Sequence, residues 1–134
     1  ESAAPLCGGP ASTESGMHLA IYRAKAQCGA ILHTHPRRLL ALSLRLEKEH
    51  KGLEDFLRLP IFEADVWRAR LGFAPALPPG TKELADAVAR ASLDHPAVWM
   101  AGHGLCSTGA TLAEALCLTE ELEHLAAIQL LSLR

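Results

Sequence analysis

Two histidines separated by one residue, His33 and His35, form the most informative local pattern in the chain. They lie in a short apolar run, residues 29–35, which begins with glycine and is followed by Pro36, as is typical of a buried strand. Side chains at positions i and i+2 of a strand share a face, so both imidazoles could bind one metal ion at about 2.0–2.2 Å. A third histidine, His103, has a glycine on each side, which lets its backbone approach closely. The three histidines predict a divalent-metal site with positions open for substrate; the alternative is a chance pair among seven histidines.

An acidic residue, Glu14, stands near the start of a predicted helix, and His18 follows it four positions later. Residues four apart share a helix face, so the two side chains could hydrogen-bond. A carboxylate beside a metal site can transfer a proton as a general acid or base. The alternative for Glu14 is a carboxylate that only favours the helix dipole. His18 either supports the metal site through Glu14 or is a partly buried histidine with a structural role only.

The elements that must position these residues alternate between helix and strand. Helices are predicted from apolar spacing and capping residues over residues 12–25, 37–49, 80–93 and 111–133. Strands are predicted over residues 29–35 and 97–101, and residues 105–109 are a strand or a turn. Thr81 is expected to cap the third helix, and Thr111 with Glu114 forms a capping box at the fourth. Prolines interrupt residues 53–79, for which only an edge strand over residues 59–62 is suggested.

This alternation predicts an α/β fold, with a central mixed sheet and helices on its faces. A length of 134 residues fits one domain, expected over residues 12–134 after an irregular lead-in over residues 1–11. Trp67 and Trp99 are expected in the core. Surface positions are predicted for His50, His95, His124, Glu121 and Glu123, although one of the two glutamates could instead orient a metal-bound imidazole. The apolar face of the last helix is predicted to contain Leu112, Ala115, Leu116, Leu122, Leu125, Ala126 and Leu130.

Composition narrows the classes of protein. The net charge is −2, and the basic residues form no stripe, so no nucleic-acid partner is expected. No stretch reaches the roughly 18 apolar residues of a membrane span, which predicts no membrane partner and a cytoplasmic location. Four cysteines without a CxxC pair are expected to be buried free thiols. The chain has no Asn and two Gln, a composition that favours a thermophilic source.

The chain resembles the class II aldolase and adducin family, specifically its fuculose-phosphate aldolase-like members, from Ser12 onward. The motifs that carry the resemblance by their order and spacing are Ser12-Thr13-Glu14, His18, Ile21-Tyr22, Ala30-Ile31-Leu32-His33-Thr34-His35-Pro36, Pro79-Gly80-Thr81, Glu83-Leu84, His103-Gly104, Thr111-Leu112, Glu114-Ala115 and Glu121-Leu122-Glu123. The resemblance implies a three-layer class II aldolase-like architecture. It also implies a homo-oligomer, with the tetramer as the family's form, whose sites lie at subunit boundaries.

The resemblance also implies roles for particular residues. His33, His35 and His103 match the histidines that bind a divalent ion, usually Zn²⁺. Glu14 matches the catalytic acid/base, and a glutamate at this position is typical of aldolase-type members. Ser12 and Thr13 match hydroxyl residues that help to hold a substrate phosphate. The implied substrate is a small molecule, and the implied reaction cleaves a bond beside a carbonyl.

Two departures from the family pattern leave the function open. The family's N-terminal portion, which builds much of the phosphate pocket, has no match, so the domain is expected to be N-terminally shortened. Ala76 occupies the place of a proton-donating tyrosine, and Tyr22 is the chain's only tyrosine. The main prediction is a metal-dependent aldolase-type lyase acting on a small sugar phosphate or related hydroxy-carbonyl compound. The alternatives are a metal-binding pseudoenzyme or truncated member without catalysis, and an adducin-like interaction module, against which the retained histidines argue.

Overall fold

Helices and strands alternate along the chain in a computed structural model that describes residues 8–133. Within those residues the elements are α1 (Ser15–Ala24), β1 (Ala30–Thr34), α2 (Arg37–Lys48), a 3-10 turn (Leu53–Asp55), α3 (Phe62–Arg68), β2 (Leu71–Ala74), α4 (Lys82–Asp94), β3 (Ala97–Met100), β4 (Gly104–Gly109) and α5 (Leu112–Ser132). Residues 1–7 of the predicted lead-in lie outside the described residues, and residues 8–12 contain no helix or strand.

The four strands form one mixed sheet in the order β1-β4-β3-β2. β4 pairs antiparallel with both β1 and β3, whereas β2 runs parallel to β3. Helices α1 and α4 pack together on one face of the sheet, and α2 and α5 pack together on the other. The predicted α/β fold with a mixed central sheet and three layers is therefore confirmed.

Alternation along β3 divides the apolar core between the two faces. Ala97 and Trp99 pack towards α2 and α5, whereas Val98 and Met100 pack towards α1 and α4. Trp99 is 1% exposed, as predicted for a core residue, whereas Trp67 is only partly buried. Both faces of the central strand are buried, which explains why residues 97–100 read as a continuous apolar run.

The helix starts show which capping predictions hold. The Thr81 hydroxyl accepts a hydrogen bond from the backbone N–H of Leu84, and the Thr111 hydroxyl accepts one from that of Glu114, as predicted. The first helix was predicted to start at Ser12-Thr13-Glu14, with a hydroxyl that binds a free backbone N–H. The Ser12 hydroxyl does accept from the Glu14 N–H, but α1 begins only at Ser15, and Glu14, at the cap position, makes no side-chain capping bond.

No helix within residues 8–133 is long and apolar enough to cross a membrane.

Residues 53–79 differ most from expectation. The edge strand suggested over residues 59–62 is wrong, because Phe62 begins α3, and the proline at 60 has no N–H for a sheet. The parallel edge strand β2 was not predicted. Gln129 holds the loop before α3: its side-chain oxygen accepts from the Leu57 N–H and its amide donates to the Asp55 carbonyl, both at 2.7 Å.

Burial corrects two further expectations. In α5, Leu112 is 59% exposed and Leu116 is also exposed, whereas Leu118, which was not predicted, is buried. Among the cysteines, Cys106 is a buried free thiol as expected, Cys28 is partly buried and Cys117 is exposed. Burial raises the pKa of Cys106 to about 12, and the nearby Cys28 adds to this effect. The Cys106 thiol therefore stays protonated near neutral pH. Cys7 lies outside the described residues.

Candidate metal centre

The three predicted histidines meet at one end of the sheet. Ring centroids are 4.9 Å apart for His33 and His35, 4.9 Å for His33 and His103, and 5.2 Å for His35 and His103. One nitrogen from each ring lies within 4.8 Å of the other two. Three imidazoles that converge in this way can hold a single divalent ion.

Three different segments deliver these histidines. His33 lies in β1, paired with Cys106 of β4, and His103 lies in the turn that joins β3 to β4. His35 does not belong to the strand, because β1 ends at Thr34. β1 is an edge strand whose residues are all partly exposed, so the prediction of a buried strand is wrong. The exposed edge leaves the His35 ring accessible from solvent.

Hydrogen bonding fixes the tautomer of His33. Its Nδ1 lies 3.1 Å from the backbone carbonyl oxygen of Leu105. Because a carbonyl can only accept, Nδ1 carries the proton, and the lone pair of Nε2 is free. Burial lowers the pKa of His33; the Leu105 carbonyl opposes this shift, and the neighbouring histidines reinforce it. The neutral ring, which is the form that binds metals, is therefore favoured.

Buried polar atoms without partners support a ligand at this place. Within residues 8–133, His33 Nε2, His103 Nδ1 and Glu14 Oε2 are buried and make no hydrogen bond. An unpaired buried polar group costs roughly 1–3 kcal/mol, so the unpaired nitrogens on two of the three converging rings favour a ligand between them. The three imidazoles supply a donor set that fits a divalent ion, whereas Glu14 is not among the residues whose ligand atoms lie within 4.8 Å of one another.

Glu14 is buried beside the histidines, with 8% of its surface exposed. Its charge opposes the lowering of the His33 pKa, as expected for a carboxylate close to that ring. The turn before α4 lies against it: a methyl group on Gly80 would stand 3.4 Å from the Thr13 carbonyl oxygen and 4.0 Å from Glu14 Oε1. Gly80 has a φ of +74°, which favours glycine. The fold therefore encloses this carboxylate.

The other predicted residues are placed as follows. Burial lowers the pKa of His18 and Glu14 opposes the shift, but within residues 8–133 the two side chains form no hydrogen bond. Ser12 and Thr13 are exposed, and the Ser12 hydroxyl accepts from the Glu14 N–H at 3.2 Å. Their role at a phosphate stays a prediction.

Three of the predicted surface residues are not simply solvated. His50 and His124 are exposed as expected, whereas His95 is partly buried against Gly72. Glu121 is partly buried as well. Glu123, whose side chain is 20% exposed, accepts hydrogen bonds from the start of α2. The surface prediction is thus wrong for His95 and Glu123, because each packs against a segment distant in sequence.

Sequence reasoning missed the importance of Gly104. A methyl group there would stand 2.5 Å from the Thr34 carbonyl oxygen and 2.6 Å from Cδ2 of His35. Only glycine lets β4 approach β1 and leaves room for the His35 ring. The sole sequence signal was that two glycines flank His103.

We expect Gly104→Ala to destabilise the fold by about 1–3 kcal/mol, because it overpacks this contact. It should also weaken metal binding, since the His35 ring must move. Thermal unfolding and metal titration would measure the two effects. Gly16→Ala is the matched control, because a methyl group there meets nothing within 4 Å. Equal metal affinity in both variants would contradict the assigned contact.

The larger cavities of residues 8–133 lie away from the histidines. A cavity of about 420 Å³ at the opposite end of the sheet is lined by Lys25, Arg70 and Glu114, among others. A smaller one of about 260 Å³ lies beside His35 and is bordered by Thr119 and Glu123. None of the cavities found in these residues is lined by all three histidines.

Comparison with known families gives one match over nearly the whole chain. The model described as "Class II Aldolase and Adducin N-terminal domain" matches residues 3–130. Two curated relatives are an L-fuculose phosphate aldolase from Methanococcus vannielii, 34% identical over 92% of this chain, and a 3-oxo-tetronate 4-phosphate decarboxylase from Haemophilus influenzae, 34% identical over 90% of it. The chain spans only 63% and 56% of the lengths of these relatives.

Solved structures show the same similarity. A sugar-phosphate aldolase from Thermotoga maritima superposes with a TM-score of 0.78 at 30% identity, over 94% of this chain and 56% of that one. An L-fuculose-1-phosphate aldolase from Thermus thermophilus gives 0.72 at 32% identity, over 93% of this chain and 65% of that one. The predicted class II aldolase-like architecture is confirmed by these superpositions.

Proposed function

The chain belongs to the class II aldolase and adducin family, and from that premise we propose that it is a metal-dependent aldolase-type lyase. Its proposed substrate is a small sugar phosphate or a related hydroxy-carbonyl compound. The observation that carries this proposal is the convergence of three imidazoles near the buried carboxylate of Glu14; within residues 8–133, buried nitrogens of His33 and His103 make no hydrogen bond.

In this proposal His33, His35 and His103 hold the ion, and Zn²⁺ is the expected metal because three imidazoles with a free position suit it. When bound, the ion stabilises, as a Lewis acid, the negative charge that develops on substrate oxygens. Leu105 orients His33 by accepting the Nδ1 proton. The assignment is supported by the direction of the His33 pKa shift, which keeps the ring neutral.

Glu14 is proposed to transfer the proton during bond cleavage. Its position supports this role, because Oε2 is buried and makes no hydrogen bond within residues 8–133. The proposal gives Ser12 and Thr13 the task of binding a substrate phosphate, which their exposed hydroxyls beside Glu14 allow. His18 is proposed to support Glu14 from the same helix.

The relatives' names include both an aldolase and a decarboxylase. Both reactions break a carbon–carbon bond and leave negative charge next to a carbonyl group. A Lewis acid and one mobile proton serve either reaction. The test must therefore include both types of compound.

We extend the proposal to a homo-oligomer, with the tetramer as the expected size, in the cytoplasm of a thermophile. Apolar surface on α3 supports association, because Phe62 is 93% exposed and Val66 is 62% exposed one helical turn later. Removal of these two apolar side chains from water is favourable in free energy, and a second copy of the chain could cover both.

A specific observation favours a second candidate, a metal-binding member without catalysis. Ala76 stands where a proton-donating tyrosine is expected, and Tyr22, the only tyrosine, lies in α1. Such a protein would bind the ion through the same histidines without turning over a substrate.

A cleavage assay separates the two candidates. Purified protein, loaded with zinc or stripped by a chelator, would be incubated with ketose 1-phosphates and with 3-oxo-acid phosphates. We expect aldehyde or carbon dioxide release from at least one compound by the loaded protein only. Stoichiometric zinc without cleavage of any compound would favour the non-catalytic candidate, and absence of zinc would contradict both.

A further inference from the structure

We propose that Glu123 is a positioning residue for the metal ligand His35. Its carboxylate, which comes from α5, holds the first turn of α2 and thereby fixes the backbone that leaves His35. This inference rests on the proposed metal centre and adds a residue to it that touches neither the ion nor the substrate.

The contacts of Glu123 are specific. Its two carboxylate oxygens accept from the Arg38 N–H at 3.0 and 3.2 Å, and one of them also accepts from the Leu39 N–H at 3.0 Å. The Arg38 guanidinium lies 3.6 Å from the same carboxylate. These bonds join residues 84 and 85 positions apart in sequence, so they tie α5 to the start of α2.

Among the described residues, no other side chain caps the start of helix α2. The residue at its cap position is Pro36, which offers no side-chain hydrogen bond, and its first turn contains no acidic residue. Instead, Arg37 and Arg38 place two positive charges at the positive end of the helix dipole, an unfavourable arrangement. The Glu123 carboxylate supplies both the missing acceptors and the missing negative charge.

The start of α2 determines where His35 can lie. β1 ends at Thr34, paired with Leu105, and α2 begins at Arg37, with its first helical bond accepted by the Pro36 carbonyl. His35 is therefore held between two anchors that are three residues apart. It is also the exposed member of the three histidines, so packing around its ring constrains it least. Release of the second anchor would let its backbone, and hence its ring, move away from the other two.

The test measures metal affinity in Glu123→Ala and Glu123→Gln against a matched control, Thr111→Ala. Thr111 also caps a helix, but its bond to the Glu114 N–H lies next to Gly109, at the end of β4 remote from the histidines. Zinc affinity would be measured by competition with a chelator, apo-protein folding by circular dichroism, and ligand geometry by the visible spectrum of the cobalt-loaded protein.

We expect Glu123→Ala to weaken zinc binding by about tenfold, which is the lower end of the loss known for residues that support metal ligands. We also expect it to change the cobalt spectrum. Glu123→Gln, which keeps one acceptor but no charge, should fall between it and the wild type. Thr111→Ala should bind zinc within about twofold of the wild type although it too loses a cap.

Three outcomes would overturn the inference. The first is unchanged affinity in a folded Glu123→Ala variant. The second is an equal loss in Thr111→Ala, which would reveal a general effect of instability. The third is failure of both Glu123 variants to fold, which would make the residue structural only. If the wild-type protein itself bound no zinc, the proposed metal centre would fail instead.

Discussion

His33→Ala is expected to abolish stoichiometric binding of a divalent ion. The variant loses a ring whose tautomer is set by a backbone carbonyl and whose Nε2 is buried without a hydrogen-bond partner within residues 8–133. Because replacement of a residue that merely supports a ligand weakens metal binding by about 10–100-fold, the loss of a ligand should exceed about 100-fold. Elemental analysis and competition with a chelator would measure the change.

The matched control is His124→Ala, since His124 is an exposed histidine in α5. It should keep the wild-type zinc content. His33→Ala must also be shown to fold, because it loses the hydrogen bond to Leu105. A folded His33→Ala protein that still held one equivalent of zinc with wild-type affinity would remove His33 from the centre.

Glu14→Gln is expected to lower the rate of carbon–carbon cleavage by about 10²–10⁴-fold, the usual contribution of a general acid or base. The amide has the shape of the carboxylate and fits the same enclosed place below the Gly80 turn, but it cannot accept a proton. Zinc content should stay near the wild-type value, since the three histidines remain. Steady-state rates on any compound that the wild-type protein cleaves would give the result.

Asp94→Asn provides the comparison, because Asp94 is an exposed carboxylate at the end of α4 and its substitution makes the same change from carboxylate to amide. It should leave the rate unchanged. Full activity in Glu14→Gln would exclude Glu14 as the proton carrier. Loss of zinc from that variant would instead make Glu14 a ligand.

The sequence predicted the elements that carry strong periodic or capping signals. Thr81 and Thr111 marked the starts of α4 and α5, and both side chains make the expected bonds. The buried strand β3 could be predicted because both of its faces are covered, so its residues are uniformly apolar. The His33-His35 pair was predicted from strand geometry, and the two rings do lie together although β1 ends before His35. The glycines around His103 marked a close approach.

The structure around Glu123 and Gly104 could not be predicted, because it depends on contacts between distant segments. No local pattern indicates that Glu123 caps the first turn of α2 by accepting from Arg38, 85 residues earlier in the sequence. The crowding at Gly104 arises from Thr34, at the end of β1, and from His35, which follows it. Both features appear only once the sheet order brings β4 beside β1.

Residues 53–79 resisted prediction for a different reason. The strand β2 has four residues, one of them a glycine that must accommodate the His95 ring, so it lacks both length and an alternating pattern. The loop before α3 depends on one buried amide, that of Gln129, and Leu57 adopts a φ of +58° there. In α5 the predicted apolar face included Leu112 and Leu116, which are exposed, because leucine spacing alone does not show which side of a helix is covered.

X-ray absorption at the zinc edge of the purified protein tests the central claim most directly. The account predicts one zinc per chain with three nitrogen ligands from imidazole rings at about 2.0–2.1 Å. A shell containing sulfur at about 2.3 Å, or one with fewer than three imidazoles, would contradict convergence of His33, His35 and His103 on a single ion.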